Sequence, residues 1–349
     1  MRLTTGLLLL GIAATSSAAA QPAPAPVSLI TVPTKVYFSP SNAKEQQAGS
    51  IFFLIVETDG DGVVEPLSLE LTYRKAGAVV RTDRLLSPLL QAIDITQLQP
   101  SRLYSPTDAA NRRWPHAFRL FLSLPASVEA DSVEARLTAT AGGHPVESSA
   151  TIPIAAYQQN TSLVFPFRGP GIVNVAGVLA SGHRNRSGLY AIDVLGLNPT
   201  YGPMLGSVED DRPANYAGFG REIIAPAAGK VVVARNDHVD QPVAGTSDPA
   251  YFLPEYRNGG DPGNLVVIDH GNGEFSMIGH MKLGSVRVKV GDRVSQGQVI
   301  GLMGNSGDTS GPHVHYQLQN GPDWERSDAL PFKFTNVRSL TPGSYFDAK

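Results

Sequence analysis

Apolar and polar side chains alternate with period two over much of the first half of this chain. Leu67, Leu69, Leu71 and Tyr73 alternate with Ser68, Glu70, Thr72 and Arg74, and Val133, Ala135, Leu137 and Ala139 alternate with Glu134, Arg136 and Thr138. Residues i and i+2 of a strand share a face, so each stretch predicts a strand with one face in a core. Ile51 to Val56 is apolar without a break and predicts a strand buried on both faces. Turn residues separate these segments, and residues 28–156 are expected to form a small β-sandwich. Leu85 to Leu98 leaves room for a helical turn or two. Asp59-Gly60-Asp61-Gly62 looks superficially like a calcium loop but lacks the rest of the ligand spacing, and reads as a hairpin turn.

The second half, residues 157–349, is again β-rich. Strands are expected at Gly229 to Ala234, Asn264 to His270, Phe275 to His280, Val299 to Met303 and His313 to Leu318. Val286, Val288 and Val290 alternate with Arg287 and Lys289, and Gly291-Asp292 then turns the chain. No segment carries a sustained helical period. Two stretches, Leu195 to Gly220 and Asn236 to Gly263, are rich in Gly, Pro and acid and read as long loops, which inside a compact domain are more often functional than structural. They are expected to wall a groove. The chain as a whole reads as all-β.

Composition narrows this picture. Of 349 residues, 42% are hydrophobic, enough for a core, and only 17% are charged, while Gly (35) and Pro (27) are frequent, which favours turn-rich β structure. The net charge of −3 argues against nucleic acid or an anionic membrane surface as partner. With no cysteine, disulfides are excluded and any zinc site must use His and carboxylate. Residues 1–20 read as a secretory signal: Arg2, a short apolar run from Leu7 to Ala14, then Ala18-Ala19-Ala20 before Gln21. Residues 21–27 read as a stiff Pro/Ala linker. The leader run is too short for a stable anchor and no later segment is long and apolar enough to span a bilayer, so an exported protein, periplasmic or secreted, is expected.

Six of the eight histidines lie in the second half: His183, His238, His270, His280, His313 and His315. His116 and His144, in the first half, have no cluster of ligand residues around them and read as ordinary histidines. In Gly311-Pro312-His313-Val314-His315-Tyr316, strand geometry points both imidazoles to one side. That suits one metal ligand with a catalytic neighbour, two ligands, or a pair of exposed strand histidines. Asp193 interrupts the apolar run Leu189-Tyr190-Ala191-Ile192-Asp193-Val194, where a carboxylate is costly unless paired or metal-bound; a turn cap is the alternative. His183 lies ten positions earlier, across a bend containing Ser187 and Gly188. His280 ends the run Phe275 to His280. His270 precedes a turn, and His238 reads as a surface loop histidine.

These positions together, with their surroundings, resemble the lysostaphin-type (LytM-like) zinc metallopeptidases. The runs Gly284 to Val294, Gly297-Gln298-Val299-Ile300-Gly301, Gly304-Asn305-Ser306-Gly307 and Gly311 to His315 look like that family's core, and Ala225 to Val231 and Gly263 to Gly271 resemble its early strand entry and middle hairpin. The likeness runs from Phe165 to Val337. It implies an all-β peptidase domain with an open groove and Zn2+ held by His183, Asp193 and His315. His280 and His313 become the two unliganded catalytic histidines. Three protein ligands and a water make a catalytic rather than a structural zinc. Such zinc-bound water attacks peptide bonds, here expected in peptidoglycan cross-links or stem peptides. The sequence departs from the family in a longer gap between His183 and Asp193, and in Ile278, where a Tyr is common. A LytM-like regulator of other cell-wall hydrolases is the rival reading, but would be marked by missing ligands, and all five positions are filled. A sugar-active or transport β-protein would need paired acids or an aromatic platform, which the sequence does not place near these histidines.

Overall fold

The computed structural model describes residues 27–349 apart from 41–45, 60–62, 96–111, 177–182, 184–185, 208, 257–259 and 339. The signal peptide and nearly all of the linker expected from the sequence lie outside the described residues; Val27, at the linker's end, already opens the first strand.

The described residues are almost entirely β. In the first half, Val27–Val32, Ser39–Pro40 and Arg112–Pro125 all pair with the long strand Gln46–Asp59. A second sheet runs in the order Val36–Tyr37, His144–Ala155, Ser132–Ala141, Val64–Lys75, Ala78–Leu86. Leu54, Val56, Leu120 and Leu122 from the first sheet meet Leu69, Tyr73, Val133 and Leu137 from the second in one buried core, the sandwich that the alternation predicts. One helix, Ser87–Ala92, falls within the stretch read as a helical turn or two.

Two details differ from the sequence reading. Leu67 is exposed while Leu69, Leu71 and Tyr73 are buried, because a register shift between Pro66 and Ser68 turns the strand. The Asp59-Gly60-Asp61-Gly62 turn falls on residues 60–62, outside the described residues; the strands on either side, Gln46–Asp59 and Val64–Lys75, pair in different sheets.

His116 ties the sandwich together. Its Nδ1 lies 2.6 Å from Asp94 Oδ2 and its Nε2 lies 2.9 Å from the carbonyl of Val64, in the opposite sheet. The hydrogen bond to Asp94 is the main reason that its pKa is raised, outweighing burial. A raised folded-state pKa stabilises the fold fully below the ordinary histidine value, and that contribution is lost as pH rises through the folded value. The denaturant midpoint is expected to fall as pH is raised from below the ordinary histidine range to above the raised value. His116→Gln should flatten that part of the profile, as chemical unfolding at a series of pH values would show.

The second half is built on one antiparallel sheet, in the order Arg293–Val294, Gly229–Arg235, Asn264–Asp269, Phe275–Met281, Val314–Gln319, Ile192–Gly196, Gly169–Ala176, Tyr345–Ala348. Val231, Val266, Ile268, Ile278, Val314, Tyr316, Leu318, Ile192 and Val194 all join one core on one face of this sheet, and Leu265, Val267 and Met277 form a smaller apolar cluster on the other. The alternate positions face the other way, and the site lies among them. The Val286 to Val290 alternation does not produce a paired strand. Arg287 N donates to Ile300 O and Val286 and Val288 rest on the core, but no ladder forms, and Val290 is exposed.

Candidate metal centre and catalytic histidines

Register explains why the site assembles. Asp193 is the direct cross-strand partner of His315, and His315 is in turn the partner of Gly279 on its other side. Directly opposed residues on antiparallel strands project to the same face. His315 Nδ1 lies 3.0 Å from Asp193 Oδ1. His183, which belongs to no strand, returns to the same carboxylate, with Nε2 at 3.1 Å from both oxygens. The ligand atoms of His183, Asp193 and His315 all fall within 4.8 Å of one another. His313 precedes the strand by one residue, yet still points to the site: its Nε2 is 3.5 Å from Asp193 Oδ1. The rings of His280 and His313 are 4.7 Å apart. The five sequence-derived positions therefore converge on one spot.

His280 is not a regular strand residue. A register shift in the pairing of Asn264–Asp269 with Phe275–Met281 leaves it in the left-handed region with φ +56°, a conformation costly for a side chain of this kind. Two backbone contacts hold it there. Its N–H donates to Pro262 O at 2.9 Å, and its ring Nδ1 meets the carbonyl of Ser306 at 2.8 Å. Gly263, next to that proline, packs so closely on Ser306 that a Cβ would lie 2.1 Å from the Ser306 carbonyl oxygen. The long loop Asn236 to Gly263 thus ends as a clamp for His280. Buried Asp261 organises the clamp by accepting from Leu253 N and Gly263 N.

His238 is buried in the same loop, contrary to the surface position expected from sequence. Its backbone exchanges hydrogen bonds with the Asn264 side chain, and its Nε2 sits 3.4 Å from Asp261. The Arg235 guanidinium also approaches buried Asp261, at 3.7 Å. His270 is remote from the site, bonded to Ala228 O and to Ser276, which meets Tyr316 on the apolar side of the sheet.

A buried chain of amides sets the tautomer of His315. Gln319 Nε2 donates to Gly321 O at 2.7 Å, Gln317 Nε2 donates to Gln319 Oε1, and His315 Nε2 lies 2.9 Å from Gln317 Oε1. Gln317 Nε2 also meets Ser187 Oγ, whose hydroxyl is committed to Trp324 O. Backbone carbonyls end both branches, so the polarity runs one way and His315 Nε2 must be the donor. Its Nδ1 then carries a lone pair facing a carboxylate oxygen. Two acceptors at that distance need a cation between them. A proton is disfavoured, because burial lowers the pKa of His315 despite its bond to Asp193. Burial also pushes Asp193 upward, but the charges of His183 and His313 and their bonding outweigh it and hold the carboxyl well below the usual range. Two imidazoles and one ionised carboxylate form a hard-to-borderline N/O set, and Zn2+ is the cofactor that it fits.

Residues 215–327 match the model of peptidase family M23. That span contains His280, His313 and His315 and leaves out His183 and Asp193. Peptidoglycan DD-endopeptidase ShyA of Vibrio cholerae is 50% identical over 62 residues, covering 18% of this chain and 14% of that protein. Endolysin 2638A of Staphylococcus phage 2638A is 39% identical over 90 residues, covering 25% of this chain and 18% of that protein. This chain therefore spans less than a fifth of the length of either relative. Among solved structures, the catalytic domain of the prophage-encoded M23 protein EnpA from Enterococcus faecalis is 21% identical, over 48% of this chain and 93% of that one, with a TM-score of 0.30.

Proposed function

Because this chain carries a peptidase family M23 domain, we propose that it is an exported zinc-dependent endopeptidase that cleaves peptide bonds in peptidoglycan cross-links or stem peptides. The observation that carries the reading is the convergence of His183, Asp193 and His315 with two further histidines beside them. The relatives named for peptidoglycan cleavage bear on the substrate. In this reading residues 157–349 are the catalytic unit, residues 28–156 are accessory, and the loops Leu195 to Gly220 and Asn236 to Gly263 wall the groove.

His183 Nε2, Asp193 and His315 Nδ1 would hold the zinc. When bound there, zinc supplies a Lewis acid that polarises the scissile carbonyl and makes hydroxide available near neutral pH. The chain's own residues divide the proton work. His280 donates its Nδ1–H to the Ser306 carbonyl, so its Nε2 bears the lone pair, and burial followed by the neighbouring His313 and His315 keeps it neutral. It is the proton acceptor. His313 likewise commits Nδ1 to the Gly311 carbonyl at 2.8 Å. Its Nε2 is turned toward Asp193, 3.5 Å from Oδ1. With His280 as the acceptor, His313 is left to donate to the oxyanion or the leaving nitrogen.

Digestion of purified muropeptides by the zinc-loaded protein, with products identified by mass spectrometry, tests this. New pairs of amino and carboxyl ends within the peptides are expected. Intact muropeptides, with zinc bound, would leave the regulator reading standing.

A further inference from the structure

The first half of the chain reaches the proposed zinc ligand that is least secured by its own secondary structure. His183 belongs to no strand, whereas Asp193 and His315 are fixed by the sheet. Arg119, on the sandwich strand Arg112–Pro125, places its guanidinium 2.9 Å from the backbone carbonyl of His183 and donates a hydrogen bond to it. Arg119 is itself held in place: its backbone N–H bonds Ile93 O, and its guanidinium lies 5.0 Å from the centre of the Phe121 ring. The other end of the segment has a second tether from the sandwich half, since the buried Tyr190 hydroxyl donates to the Tyr37 carbonyl. Between the two, Arg186 pairs with Asp328 and Ser187 bonds Trp324 O.

We infer that Arg119 is a positioning residue for the zinc site: the sandwich half fixes the His183 peptide so that its imidazole meets Asp193. The inference rests on the zinc-site reading and gives the accessory half a role in it. A ligand held outside the sheet must be fixed at the moment of metal binding, and that cost weakens the affinity. A planar guanidinium anchored on a rigid sheet and bonded to the ligand's own carbonyl reduces that cost beforehand. The chemistry is a charge-assisted hydrogen bond, which binds a carbonyl more strongly than a neutral donor does. The contact lands on His183 itself, which separates it from ordinary packing between the halves.

The test uses the full chain and zinc itself, with affinity measured by competition against a chelator. Arg119→Ala is expected to weaken zinc binding about tenfold or more, Arg119→Lys less, and hydrolysis by Arg119→Ala should recover when zinc is raised. Tyr190→Phe, which cuts the other tether without touching His183, should weaken binding more mildly. In a His183→Ala background, Arg119→Ala should change zinc affinity no further, because the two act on one ligand. Wild-type protein that binds zinc and an Arg119→Ala variant that binds it equally well would overturn the inference and leave the zinc site intact. An equal loss with and without His183 would overturn it by marking the effect as general destabilisation. Wild-type protein that binds no zinc would overturn the site reading and this inference together.

Discussion

Asp193→Ala and His183→Ala should each lower zinc affinity by about a hundredfold or more, while His238→Ala and His270→Ala leave it unchanged. The Asp193 carboxylate touches both His183 and His315, so its loss removes a ligand and the partner that orients the other two. His183 contributes the only nitrogen among the described residues that reaches Asp193 from outside the sheet and joins the ligand set. The two control residues differ from each other in an informative way. His270 is bonded to Ser276 toward the apolar side of the sheet, away from the ligands. His238 is buried against Asp261 in the clamp for His280, so its alanine variant should lose stability while still binding zinc. Chelator competition on the four variants, with unfolding curves alongside, separates ligand from scaffold. Zinc affinity that survives His183→Ala would send the third ligand elsewhere.

His280→Ala and His313→Ala should both keep zinc and lose hydrolysis, each by about a hundredfold to ten-thousandfold in kcat. Both rings end on backbone carbonyls through Nδ1, at Ser306 and Gly311, and neither belongs to the three-atom ligand cluster. Their differing neighbours predict differing roles, with His280 bonded to the Ser306 carbonyl and His313 turned toward Asp193. Single-turnover hydrolysis together with zinc content checks this. Loss of metal from either folded variant would contradict the division of roles.

Much of this was legible before the structure because strand periodicity is a local signal. The alternation of Val133 to Ala139 and the H-x-H pattern need only neighbouring residues to be read, and the sheet then places His315 opposite Asp193. What was not legible depends on distant backbone. From sequence His280 reads as the end of a plain strand, whereas a bulge fixed by Pro262 and Ser306 turns it to φ +56°. His238 reads as exposed because nothing nearby in sequence pairs with it; its partner, Asp261, lies on the far side of a long loop. Val286 to Val290 has strand periodicity without a partner strand, and periodicity cannot supply one. One missed signal was available. His315, Gln317 and Gln319 alternate with Val314, Tyr316 and Leu318, so the amides had to share the ligand's face. A buried amide pair beside a candidate ligand is the pattern of a tautomer-setting chain.

A zinc-edge anomalous diffraction map of crystals of the purified chain tests the central claim most directly. The account predicts one peak per chain, bonded to His183 Nε2, Asp193 and His315 Nδ1, with His280 and His313 beside it but not attached. A peak bonded to His280 or His313, a peak with His183 turned away, or no peak in protein that still hydrolyses peptide would contradict it.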